Sequence, residues 1–160
     1  MTAQAESAPV IAETRAPSSK RLFWRGVRAG LLGAVTIAVW FLFVDYGRDR
    51  PFHTPDLLGT LIVGAGGVLP PALSFSVVHA LVFVVIGVVA ARFFALLEEG
   101  GLKRVGIAVL LLFIILNLGF SSFALTARAV GLEALSWPDV LIGNALAAAA
   151  MIVYLRRPLD

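Results

Sequence analysis

The chain contains no cysteine. That excludes a disulfide framework, a thiolate metal site, an iron–sulfur cluster and covalent haem attachment, and it leaves the redox compartment unread. Charge is also scarce. Charged residues make up 14% of the 160, and hydrophobic residues 59%, where a soluble domain has about 25% and about 45–50% respectively. With a mean hydropathy of +0.93, the composition belongs to the membrane class. A formal charge of +3 invites a nucleic-acid reading, but the Lys and Arg residues form no patch. They stand at the ends of apolar runs, where a membrane anchor needs them, so no nucleic-acid partner is expected. Enzyme signatures are missing too: there is no acid–base dyad at catalytic spacing, nucleophile elbow, HExxH or P-loop. Gly64-Ala65-Gly66-Gly67 lacks dinucleotide spacing.

What is present is a set of apolar runs. Residues 1–19 are rich in Ala, Ser, Thr and Pro without a sustained period, and such a segment cannot bury enough apolar area to offset chain entropy. Residues 1–24 therefore read as a disordered cytoplasmic tail ending in a basic interfacial anchor. Lys20, Arg21, Arg25 and Arg28 surround Phe23 and Trp24 there. Four spans follow in a membrane domain over 25–158, at about 26–44, 72–94, 105–127 and 138–155. Each is near the ~20 residues that cross ~30 Å of hydrocarbon. A signal peptide is the competing reading of the first run. Its apolar core is too long for an h-region, and Asp45-Tyr46-Gly47-Arg48 stands where a small-residue cleavage site belongs. The expected fold is all-α, a four-transmembrane-helix bundle.

Between the first two spans, residues 45–59 (DYGRDRPFHTPDLLG) form a polar hairpin. Thr54-Pro55-Asp56 has the form of a helix start, with Thr as N-cap, Pro at the first helical position and an acid in the first turn. The apolar stretch beyond it is too short to span, so a short amphipathic helix at about 55–66 is expected in the interface. The tail and first flank, the loop between spans two and three, and the C-terminus carry ten of the thirteen Lys and Arg. Only Arg48, Arg50 and Arg128 lie on the other side. The positive-inside rule then puts both termini in the cytoplasm of a multi-pass protein of the cell (inner) membrane, with the hairpin outside.

Projected at 100° per residue, the polar residues of the spans fall into stripes. Asp45 shares a face with Ala34, Ala38 and Phe41; His79 with Ser76, Phe83 and Ile86. Asn117 lies with Ser121 and Arg128, and Asn144 with Val140, Ala147, Ala148 and Met151. His79 and Asn144 fall about 10 Å below the outer ends of their spans. The candidate cluster is therefore His79, Asn144, Asn117, Ser121, Asp45 and Arg128, in the outer half of the bundle. Each has a plain alternative. His79 fits a histidine satisfied by a neighbouring helix, the two asparagines fit interhelical glue, and Asp45 with Arg128 fits a rim ion pair or two snorkelling groups. The functional reading makes His79 a proton carrier or ligand contact with Asp45 and Arg128 at the mouth. Metal or haem ligation is not expected, because the second imidazole, His53, lies in the hairpin. Gly26-x-x-x-Gly30 fits either internal packing or dimerisation.

Asp45, Pro51, Thr54-Pro55, Leu58-Gly59, His79, Gly143-Asn144-Ala145, Met151 and Tyr154-Leu155 together resemble a set of small four-span bacterial integral membrane proteins of uncharacterised activity. The resemblance covers about 25–158 and implies the fold and topology without an activity. Its members often carry an acid near Asn117; an amide here weakens a proton relay through that position. The expected function is a non-catalytic membrane subunit or scaffold, not an enzyme. Its expected partners are the lipid bilayer and copies of itself or a larger membrane complex, and no cofactor is expected. A small-molecule or proton pathway through the outer polar cluster is the alternative, and a membrane-embedded enzyme or cofactor carrier the third reading.

Overall fold

The computed structural model describes residues 18–64, 67–97, 101–129 and 136–157. Residues 1–17 of the expected tail fall outside these, whereas its basic anchor from Ser19 to Trp24 is helical, and the side chains of Lys103, Arg104 and Arg128 lie outside the described ones. Among the described residues the protein is all-helical, with α1 (Ser19–Tyr46), α2 (His53–Val63), α3 (Pro71–Leu97), α4 (Gly101–Ala129) and α5 (Trp137–Leu155). Three helices among the described residues are long and apolar enough to cross a membrane: Ser19–Tyr46, Pro71–Leu96 and Trp137–Leu155. A shorter apolar stretch, Leu110–Ser122, lies in α4. Large apolar side chains such as Val39, Phe43, Val85 and Val153 are exposed on these helices, as expected where the solvent is lipid.

α1 is the central element, packing most extensively on α3 and next on α5. Small residues make this possible. A Cβ at Gly30 would come within 2.2 Å of the Phe83 carbonyl oxygen, one at Gly26 within 2.4 Å of the Val88 Cα, and one at Gly87 within 2.3 Å of the Gly26 carbonyl oxygen. The Gly26-x-x-x-Gly30 pair thus faces Gly87 inside the same chain, where backbone meets backbone and gains dispersion contact. Gly33 gives the same room to Met151 of α5. The buried stripe of α5 consists of Val140, Asn144, Ala147, Ala148 and Met151, extended by Gly143, Ile152 and Leu155.

α2 begins differently from its sequence signal. Its N-cap is Phe52, in the left-handed region at φ 65°, and makes no side-chain cap. His53 takes the first helical position, which leaves Pro55 at the third. That shift costs no hydrogen bond, because a helix's first-turn N–H groups lack intrahelical partners in any case. Thr54 is one turn-position too deep to cap its own helix; its hydroxyl is used elsewhere. α2 then runs close against the start of α3, where a Cβ on Gly59 would fall 1.8 Å from the Pro71 carbonyl oxygen.

Candidate functional site

Asp45, at the last turn of α1, is 2% exposed. It is not a rim charge left to water. Its Oδ2 accepts from the Thr54 backbone N–H at 2.7 Å, and its Oδ1 accepts from the Thr54 hydroxyl at 2.7 Å. Its backbone carbonyl accepts from the N–H groups of Arg48 and Arg50, which closes the intervening turn. The carboxylate of α1 therefore caps α2, where Phe52 provides nothing, and sits at the positive end of that helix dipole. The same device recurs one element later. Asp56 of α2 accepts from the Ala72 N–H at 3.2 Å, in the first turn of α3, whose Pro70 and Pro71 have no N–H to offer or satisfy.

A third aspartate joins this end of the molecule to α5. Asp139, in the first turn of α5, accepts from Arg48 Nη2 at 2.5 Å, and its carbonyl accepts from the Trp40 indole N–H at 2.8 Å. At the opposite end Arg25, 8% exposed, gives Nη2 to the carbonyl oxygens of Leu155 and Arg157. Those are among the carbonyls a helix C-terminus leaves unpaired, and a cation there also complements the dipole. Arg25 had the pattern of a headgroup anchor; it is a clamp between α1 and α5.

A cavity of about 660 Å³ lies between the walls of α1, α3 and α4, with α2 at one end and Val140 and Asn144 of α5 on its far side. The α1 face of Ala34, Ala38, Phe41 and Asp45 and the α3 face of Ser76, His79, Phe83 and Ile86 both line it. His79 lies between two rings, stacked on Phe75 at 5.1 Å and edge-on to Phe83 at 4.7 Å. Among the described residues its nitrogens meet no hydrogen-bond partner.

The six residues named from the sequence fall into separate groups. Asp45, His79 and Asn144 share the cavity. Asn117 is set behind its wall, accepting from Asn144 Nδ2 at 3.2 Å and donating to the Phe113 carbonyl at 2.8 Å. Ser121 turns back to the Asn117 carbonyl at 2.7 Å, a bond within its own helix. The side chain of Arg128 is outside the described ones. Thr54 was missed as a polar partner, although its place nine residues after Asp45 across a Pro-containing turn was visible. No group of three or more His, Asp or Glu able to hold a metal occurs among the described residues.

No protein-family model, curated protein or solved structure matches this chain.

Proposed function

We propose that the protein is a non-catalytic integral membrane subunit or scaffold of a bacterial cell (inner) membrane. It crosses four times, with both termini cytoplasmic, and packs against copies of itself or a larger membrane complex. The observation that carries the non-catalytic reading is the use made of the buried ionisable groups. Asp45 ends on Thr54 and Arg25 on the end of α5, so both join helices. Four crossings are supported by connectivity. Val88 of α3 lies against Gly26, near the start of α1, whereas Asp139 of α5 lies against Arg48, just past its end. The chain between them has to return along the bundle, and the 29 residues of α4 reach about 44 Å, more than the ~30 Å of hydrocarbon. Orientation rests on the distribution of Lys and Arg.

Purification in mild detergent with mass spectrometry tests the subunit reading. The expected result is a stoichiometric partner or a defined oligomer, retained in His79→Ala; a monodisperse monomer without a partner overturns it. The absence of native cysteine makes a topology test free of background. Arg50→Cys should react with an impermeant maleimide from outside intact cells and Arg156→Cys only after lysis.

The second reading, a small-molecule or proton pathway using the polar cluster, draws on the cavity at His79. The backbone contact of Gly30 with Phe83 closes the bundle below it, which favours holding a molecule over passing one through.

A further inference from the structure

The cavity beside His79 is polar at one end and, apart from Asn144 on its far side, hydrocarbon elsewhere. Asp45, Thr54, Ser76 and His79 mark the polar end. Its size, about 660 Å³, falls within the ~300–1,000 Å³ typical of small-molecule sites. Val35 and Val39 of α1 and Ile115 of α4 line it and are 58%, 61% and 51% exposed. Its mouth therefore opens sideways, at the height of the apolar spans, where the surrounding medium is acyl chain. His79 stands there with ring contacts and no hydrogen-bond partner among the described residues. An unsatisfied polar group in hydrocarbon is costly, so an occupant that supplies a partner is favoured.

Charge complementarity selects the head of that occupant. Asp45 is the one acidic or basic (Asp, Glu, Lys or Arg) residue on the described lining, and Thr54 takes both of its oxygens. An anionic head would be seated near that carboxylate. A cationic head would find Asp45 only 2% exposed, with both of its oxygens already accepting from Thr54. A neutral head needs no counter-ion.

We propose that the cavity binds a neutral lipid drawn from the bilayer, its chain along the walls of α1, α3 and α4 and its hydroxyl or ester carbonyl at His79. This rests on the cavity reading of the function and is independent of the scaffold reading. The test uses the full chain in phosphatidylcholine nanodiscs and monooleoylglycerol carrying a diazirine at its chain end. Saturable labelling of cavity positions such as Ala38 and Ile115 is expected. Unlabelled monooleoylglycerol should displace the label, and oleate or oleylamine at the same concentration should not. His79→Phe, with an unchanged melting temperature, should weaken binding about tenfold, the loss of one hydrogen bond. Ala38→Trp should abolish labelling by filling the cavity while leaving His79 in place. Non-saturable label spread over Leu81, Val85 and Val153 overturns the proposal and the cavity reading together. Saturable cavity labelling displaced equally by oleate or oleylamine overturns the neutral head and leaves the cavity reading standing. Unchanged affinity in His79→Phe overturns the head contact.

Discussion

The two ends of the bundle are held by opposite means. At the end where α1 begins, Gly26, Gly30 and Gly87 let two backbones touch, so cohesion among the described residues comes from short dispersion contacts and from Arg25 on the end of α5. At the end where α1 finishes, α1 and α3 part around a cavity, and close backbone contact is left to Gly59 of α2 against Pro71. There three aspartates do the joining: Asp45 to α2, Asp56 to α3 and Asp139 to Arg48. Packing without polar groups is rigid, because interiors are close-packed and resist added volume. Hydrogen-bonded caps can open one at a time. The molecule thus has a welded end and a latched end, and the hollow lies toward the latched one.

If that distinction is right, added volume should be intolerable at one end and accepted at the other. Gly30→Leu is expected to cost about 3 kcal/mol or more through overpacking against backbone, whereas Ala38→Leu, facing the cavity, should change stability by well under that. Detergent-denaturation curves followed by tryptophan fluorescence would show it, and equal losses would erase the contrast. Asp45→Ala should cost about 2 kcal/mol by orphaning the Thr54 N–H and hydroxyl. The loss should be local. Hydrogen exchange over 53–57 is expected to speed about 30-fold while amides near Gly30 keep their protection, and a uniform rise along the chain would contradict the latch. Arg25→Met leaves the carbonyls of Leu155 and Arg157 without their donor, also about 2 kcal/mol, and exchange at the last turn of α5 should report it. The smallest effect belongs to the Asn117–Asn144 bond. A double-mutant cycle to Leu should give a coupling near 0.6 kcal/mol, and a value close to zero would mean the pair adds nothing to the join between α4 and α5.

Asp45, His79 and Asn144 were assigned to inward faces by period alone, and they line one cavity. Helical period is a local property, so a stretch such as Ser76 to Ile86 carries it wherever the helix is later placed. Apolar length is local in the same way, which is why the apolar cores of α1, at about 26–44, and α5, at about 138–155, are legible before any contact is known, although α1 itself begins earlier, at Ser19. Thr54-Pro55-Asp56 shows the limit. It reads as a helix start and is one, but Thr54 does not cap it; Asp45 does, across a turn in which Asp49 and Phe52 both take the left-handed region. Arg25 reads as a headgroup anchor and instead reaches a helix end 130 positions away. The hairpin 45–59, the polar island of the sequence, ends as the latch at one end of a hollow whose other walls lie elsewhere in the chain. Residue type and spacing decide which segments are helical, apolar and able to span. Which carboxylate finishes which helix, and where packing stops and a cavity begins, depends on backbones meeting in space, and no local pattern contains that distance.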